Sequence, residues 1–476
     1  MSQVRAILEP IASLRITVVL FALSMFLIFA GTLAQVEMSN WAVVESYFRS
    51  VLVWIELKYL DPTGLLAKSR LAIPFPGGFV LGGLMLINLL AAHAIRFRIK
   101  ARNKKLVAGV VGVLVSIVML WQAHLHAFGD FLNLADQTTA HMEAATLSSN
   151  VIYTLIGLAG LALMCFAMWL LFGKRDGIVL LHAGIILMLA SEGVTAFFAL
   201  ESQMHIFEGQ TVAYSSDIRE SELAIIDPAP KQVERPGDDW VVAISQSLLL
   251  SHAGTNEPIA TPDLPFTVTV DRYMRHSDVL RASERFPAQA THGVGASIHV
   301  VEKPQVAGTQ TDQQANMPSA LITLWRGSEK LGTYLVSTWL EQPQYVEVDG
   351  RRYALFLRFR RYYKPYTIEL LEVRHDKFVG TEMARNFSSR VRLRNEQQKE
   401  DREVLIYMNH PLRYNGETFF QSQVRSTRPD TTDGTVLLLV ENPGAWMPYY
   451  SCLLVTLGMT IHFGRMLFRF AGRALA

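Results

Sequence analysis

Six apolar stretches, each close to the length needed to cross a bilayer, enclose one polar block of roughly 240 residues at 201–443. A helix rises ~1.5 Å per residue, so about 20 residues cover the ~30 Å hydrocarbon layer. The stretches lie at 16–34, 77–97, 106–128, 151–172, 178–200 and 446–468. They predict a membrane protein with about six transmembrane α-helices and a large domain between the fifth and sixth spans. Composition agrees, because half of the 476 residues are apolar and only 18% are charged, too little polar surface for an ordinary soluble multidomain protein. On this reading residues 1–200 form a five-span bundle, 201–445 the domain, and 446–476 the last helix with its tail. Arg5 and Arg15 precede the first stretch as they would a secretory signal. Its length and the poor cleavage site Gly31-Thr32-Leu33-Ala34-Gln35 make it read as a retained anchor.

Lys and Arg set the expected sidedness. The connector from Arg96 to Lys105, the pair Lys174-Arg175, and the tail with Arg465, Arg469 and Arg473 are basic, which the positive-inside rule places in the cytoplasm. The connector at 129–150 has neither residue and falls outside. Both termini are then inside and the polar block is extracytoplasmic. The loop at 36–76 must also be outside, although it carries Arg49, Lys58, Lys68 and Arg70.

Within the block, segments at 266–270, 321–325, 353–359, 367–373 and 435–440 alternate or are β-branched and end at Gly, Pro, Asn or Asp, the pattern of a β-rich sandwich or partly closed barrel. The stretches 228–239 and 303–318 read as excursions between strands. A net charge of +2 argues neither for nucleic acid nor for an acidic partner. The two cysteines, Cys165 and Cys452, both lie in apolar stretches, so the block has no disulfide, zinc cluster or thiol redox pair of its own. C-x-x-C-H is absent as well, which excludes a covalently attached c-type haem on this chain.

Three histidines lie within spans near basic flanks: His93 before Arg96, His182 after Arg175 and His462 before Arg465. Three helices thus place an imidazole at a similar depth. A neutral imidazole is an axial ligand for haem iron, and it is equally a hydrogen-bonding group between helices. Glu192 shares a helix with His182 but lies on a different side of it, and reads as an interhelical hydrogen-bonding group or a proton relay. His124 and His126 lie near the outer end of the third span, with His141 in the next loop, and read as interfacial polar residues or an outer haem contact. The run of Arg351, Arg352, Arg358, Arg360 and Arg361 among Tyr and Phe fits either a solvated strand face or a clamp for propionates or another anion. No catalytic residue is assigned.

Longer strings narrow the choice. Leu14-Arg15-Ile16-Thr17-Val18-Val19-Leu20 with Gly31-Thr32-Leu33-Ala34-Gln35, and Asn88-Leu89-Leu90-Ala91-Ala92-His93-Ala94-Ile95-Arg96-Phe97, resemble the first two spans of the ResB/CcsB family of cytochrome c biogenesis proteins. Leu181-His182-Ala183-Gly184-Ile185-Ile186-Leu187 resembles the span before its outer domain, and Met204-His205-Ile206-Phe207-Glu208-Gly209-Gln210 the start of that domain. Most specific is Met408-Asn409-His410-Pro411-Leu412-Arg413-Tyr414-Asn415-Gly416-Glu417-Thr418-Phe419-Phe420-Gln421-Ser422, followed by Asn442-Pro443-Gly444. It is similar to the family's N-x-P-L-x-Y-x-G-x-x-(F/Y)-Q signature. The region 241–404 is only weakly constrained by the resemblance. Simpler members have four spans, so 106–172 adds two, an even insertion that keeps the domain outside.

The resemblance implies a subunit of the System II cytochrome c maturation complex in a bacterial inner membrane, with a periplasmic domain. It implies transient, non-covalent binding of haem b and delivery to apocytochrome c. The W-G-x-x-W-x-W-D signature of the CcsA partner is absent here, so a CcsA-type protein is expected in trans, with thiol-reducing proteins acting indirectly and no nucleic acid involved. The residue matched to an axial ligand is His93, with His182 a second candidate. The subunit is then an accessory part of a holocytochrome c synthase. Two other readings stay open: a cytochrome b-like, quinone-linked electron-transfer subunit, and a membrane scaffold without haem.

Overall fold

The computed structural model describes residues 2–61, 65–66, 69, 71–96, 99–128, 144–227, 240–305, 316–377, 384–425 and 433–474. His141, the excursion at 228–239 and most of that at 303–318 lie outside them. The chain forms two compact units, one of Met1–Leu33, Val44–Val212 and Pro365–Ala476, the other of Ala34–Val43 and Ala213–Lys364.

The first unit is built on helices α1 (Ser2–Ile11), α2 (Leu14–Ala34), α3 (Gly78–Arg96), α4 (Lys104–Ala123), α5 (Ala144–Phe172), α6 (Asp176–Phe198) and α7 (Met447–Ala474). Among the described residues, five helical runs are long and apolar enough to cross a membrane: Leu14–Ala34, Gly78–Arg96, Lys104–His126, Val151–Phe198 and Met447–Arg473. These mark a multi-pass membrane protein. The fourth run contains both α5 and α6, joined by the 3-10 turn Gly173–Arg175, where Gly173 adopts φ +62°.

Small residues bring the helices together. Lipid tails are as apolar as leucine, so helices associate through close packing and interhelical hydrogen bonds rather than by hiding from water. α4 and α5 run antiparallel, with Gly109 facing Leu171, Gly112 facing Ala167, Gly160 facing Met119 and Gly157 facing Ala123. α6 and α7 do the same: Gly177 faces Gly458 and His462, Gly184 faces Val455, and the Ser451 hydroxyl donates to the Gly184 carbonyl at 2.9 Å. Met164, Met168, Val179 and Leu180 form a buried cluster between these pairs.

The connector read from sequence as a loop at 36–76 contains a hairpin of β1 (Leu52–Glu56) and β2 (Ala72–Pro76). Val53 and Ile55 alternate inward against exposed Leu52 and Trp54, a short period-two pattern hidden beside the stronger span signals. After α6, strand β3 (Leu200–Phe207) is followed by β4 (Thr211–Asp227). The second unit continues with β5 (Trp240–Ser245), β6 (Thr267–Met274), β7 (Ser277–Arg281), β8 (Ile298–Glu302), β9 (Ser319–Arg326), β10 (Glu329–Ser337) and β11 (Gln344–Val348). The order β10-β9-β6 makes one of its sheets, β5 pairs with β4, and β11 pairs with the start of β12 (Arg351–Lys377). Phe266, Val268, Ile322, Leu324, Tyr353 and Leu355 are among its core.

The segments 353–359 and 367–373, expected as separate strands, belong to the single strand β12, along which the buried set shifts from Tyr353, Leu355 and Leu357 to Tyr366, Ile368 and Leu370. Its arginines are committed within the second unit. Arg351 pairs with Asp227 at 3.1 Å, Arg358 with Glu222 at 2.9 Å and Arg360 with Glu220 at 3.4 Å. Arg352 stacks on Tyr345 and Arg361 on Tyr214. The run is a cross-strand ladder of alternating charge, and Arg358 with Glu222 is buried.

In the first unit β12 continues into β13 (Ala384–Asn395) and β14 (Glu400–Tyr407), while β15 (Leu412–Tyr414), β16 (Glu417–Arg425) and β17 (Gly434–Glu441) pair in order and β17 pairs with β3.

Candidate functional site

Two of the three histidines read within spans meet. The rings of His93 on α3 and His182 on α6 stand edge to face with centroids 4.9 Å apart. His93 Nδ1 lies 3.2 Å from the Leu89 carbonyl. A carbonyl can only accept, so Nδ1 carries the proton, and in the neutral ring the lone pair resides on Nε2. That is the tautomer a metal-binding histidine presents, with its second nitrogen held by a backbone acceptor.

Neighbouring side chains fix both helices. On α3, Asn88 is buried. Its amide donates to the carbonyls of Ile11 at 2.6 Å and Ser13 at 3.2 Å, and its oxygen accepts from the Thr17 hydroxyl at 2.7 Å. These bonds satisfy backbone groups left open where α1 breaks into α2. Arg96 donates to the Ala12 carbonyl at 3.1 Å, and Arg175 to the Arg96 carbonyl at 3.0 Å. The string around His93 thus clamps α3 against the start of α2 on either side of the imidazole. On α6, buried Asp176 accepts from Gly177 N–H at 2.7 Å and is held by both Nη atoms of Arg465 on α7. Gly184 follows His182 and lets α7 approach on an adjoining side.

The other sequence candidates lie elsewhere. His462 packs its backbone and Cβ against Gly177, and its ring contacts Phe463 at 5.2 Å. Glu192 is exposed on α6. His124 sits among Trp446, Tyr450 and Trp121 at 4.7, 5.8 and 5.8 Å, while His126 stacks on Tyr153 at 4.2 Å, an arrangement typical of aromatic residues at a membrane boundary.

The signature string has a physical reading. Asn409, Asn415 and Gly416 all have positive φ, at 63°, 50° and 80°. Tyr414 pairs with Glu417 across the two-residue loop Asn415-Gly416, the geometry of a type I′ hairpin. Phe419 is fully buried, and Tyr414 accepts from the Asn395 amide at 2.9 Å and donates to Gln398 at 3.0 Å. Gln421 accepts from the Ser389 hydroxyl at 2.7 Å and donates to Thr435 at 2.9 Å, beside a bulge between β16 and β17. The Tyr366 hydroxyl donates to Glu417 in a buried pair, and burial, then that carboxylate, push the phenol far above its usual range. At the start of the domain Glu208 accepts from Val373 N–H at 2.8 Å, and Gly209, with φ +77°, donates to the Leu370 carbonyl at 2.8 Å. Both strings therefore specify turns and buried polar joints of the sheet.

Sequence reasoning missed the Asp176–Arg465 clasp and the Tyr366–Glu417 pair. An acid directly after Lys174-Arg175 at the mouth of a span was a readable signal for the first. Nothing in the local pattern marked Tyr366.

No curated protein matches the chain. Residues 348–444, the segment that carries the signature, match the model of the ResB-like family, consistent with the ResB/CcsB family.

Proposed function

We propose that this chain is the ResB/CcsB-type subunit of a System II cytochrome c maturation complex, in which His93 holds haem b transiently on its way across the membrane. The observation that carries this reading is the His93–His182 pair, set in apolar helices with His93 in the ligand-competent tautomer. The ResB-like match at 348–444 supports the pathway.

The donors fit haem in one particular way. Two imidazoles on opposite sides of one iron have ring centres roughly 6 Å apart, given metal–nitrogen bonds of about 2 Å. Centroids at 4.9 Å in an edge-to-face arrangement leave no room for a porphyrin plane between them. His93 would therefore hold the iron through Nε2, His182 would stand beside the group rather than across the iron from His93, and a further ligand would have to come from a CcsA-type partner. Haem supplies the electrophilic vinyl groups that apocytochrome c thiols attack. This chain's residues bind, orient and shield it, and a site short of one ligand releases its cargo readily.

Six spans, both termini inside and a periplasmic domain complete the proposal. The 48-residue run Val151–Phe198 would extend about 70 Å as one straight helix, more than twice the ~30 Å core. Its turn at Gly173 lies beside the basic flank, so α5 arrives at the inner surface and α6 departs from it.

The test uses the full chain co-expressed with its CcsA-type partner. His93→Ala should abolish maturation of a reporter cytochrome c and weaken the Soret band of the purified complex, while the protein stays in the membrane. Exogenous imidazole should restore part of both. Normal maturation with an unchanged spectrum would remove His93 from the site. A reporter active only outside the cytoplasm, fused at Gly308, should be active, and silence in a stably expressed fusion would reverse the topology.

A further inference from the structure

One face of α6 is left open between its two packed sides. Gly177 and Gly184 turn one side to α7, whereas His182 and Phe197 turn another to α3, meeting His93 and Phe79 at 4.9 and 5.2 Å. Between them Ile185, Met188 and Glu192 are exposed. At ~100° per residue they fall within about 60° of one another around the helix. Glu192 precedes the helix end at Phe198 by about 9 Å, at ~1.5 Å per residue. A glutamate is too short to carry its charge that far to the headgroups, as lysine and arginine do. It makes no hydrogen bond or ion pair among the described residues.

An ionisable side chain facing acyl chains is costly, and those that occur in spans meet a partner. We infer that this face seats a transmembrane helix of another protein, one that presents a lysine, an arginine or another strong hydrogen-bond donor at the depth of Glu192. Charge and depth argue against a second copy of this chain. Its helix-terminal cations, Arg96, Lys104, Lys105, Arg175, Arg465, Arg469 and Arg473, collect at the opposite end of the bundle. Two copies inserted with the same orientation bring none of these to Glu192, and the described cations of the connector at its own end, Arg49 and Lys58, lie between Ala34 and Gly78 rather than in a span, with Lys58 paired to Glu56 at 3.0 Å. His124 and His126 share its end but are packed against Trp446, Tyr450 and Tyr153. The inference concerns helix association and does not require haem.

The test places the photo-cross-linker p-benzoylphenylalanine at Met188 of the full chain in its native membrane, with the same residue at exposed Val115 on α4 as the control. The expected result is an adduct from Met188, and not from Val115, whose mapped peptide is an apolar helix carrying a basic or donor residue in the third of the span at Glu192's depth. Glu192→Leu should lower the adduct yield about tenfold, the scale of one interhelical hydrogen bond in a membrane. Glu192→Gln, which can still hydrogen-bond, should lower it less. Membrane fractionation shows that each variant is inserted. Adducts to lipid only, a product with the mass of two copies of this chain, equal labelling from Val115, or a yield indifferent to Glu192→Leu would each overturn the inference.

Discussion

The joint between α6 and α7 is set by one charged clasp, and its removal has a calculable effect. Asp176 is 1% exposed in the first turn of α6, and Arg465 grips both of its oxygens, one at 2.8 Å, while Gly177 N–H donates to the carboxylate at 2.7 Å. Arg465→Met keeps most of the side-chain stem and removes both charged donors. Breaking a fully buried pair costs about 3–5 kcal/mol, because the remaining charge loses its compensation. Two features reduce this. The arginine side chain is 37% exposed, so part of its own solvation persists in the folded protein. The helix N-terminus also steadies the carboxylate by about 0.3–1 kcal/mol. The expected loss is about 2–4 kcal/mol. The double variant Asp176→Leu/Arg465→Met, which leaves no charge behind, should lie within about 1 kcal/mol of the parent. Denaturant titration of the full chain in mixed micelles, followed by tryptophan fluorescence, measures both. Should Arg465→Met fall within about 1 kcal/mol of the parent, or the double variant prove weaker than the single one, the clasp does not hold α6 in place.

Gly458→Ala in the same micelles should cost more than about 2 kcal/mol, because the new Cβ lies 2.5 Å from Leu181 N and 2.6 Å from the Gly177 carbonyl, both backbone, and the helices must part. Gly464→Ala, with nothing within 4 Å, is its matched control, and equal losses would refute the close-packing argument. Tyr366→Phe should cost about 1–3 kcal/mol by leaving Glu417 with one donor fewer in a buried site. The Tyr366 phenol holds its proton more tightly folded than unfolded, so its contribution is complete below about pH 10 and falls by about 1.4 kcal/mol per pH unit above it. Unfolding between pH 8 and 11 should show the parent losing its advantage over Tyr366→Phe as pH rises, and parallel profiles would contradict the assigned shift.

The spans were readable because a bilayer imposes length and polarity on contiguous residues, and that demand is local in sequence. The same holds for β6, at whose start Phe266, Val268 and Val270 alternate with threonines, and for β9 and β17, whose short apolar runs stand alone. What failed to show was whatever depends on pairing across distance. β12 looked like two strands because Pro365 falls where its inward alternation changes phase, between Leu357 and Tyr366. Its arginines could not be separated from a solvated face until the acids of β4 lay opposite them. Likewise, three histidines shared a depth, but only helix rotation decides which rings meet. Asn88, Arg96, Gly177 and Gly184 set that rotation, and their partners lie on other helices. The family match starts at residue 348, inside the region where motif resemblance was thinnest, because strand periodicity there carries little individual identity.

This division bears on what the family match can support. The signature at 408–422 encodes an I′ turn, a bulge joint and a buried Tyr–Glu pair, all requirements of the sheet, and it lies far along the chain from His93. A substitution there acts through folding, and the loss of function that follows says nothing about haem. The histidine pair stands the other way round: His93→Ala removes a ring that only partly fills the α3–α6 contact, and the Asn88 and Asp176 clamps that hold those helices remain. Under the proposed haem role, a His93 variant that keeps its unfolding transition and loses the Soret band therefore isolates the chemistry, whereas a signature variant is expected to lose both together. Measuring the two properties on both variants separates the sheet's contribution from that of the helices, which maturation assays alone merge.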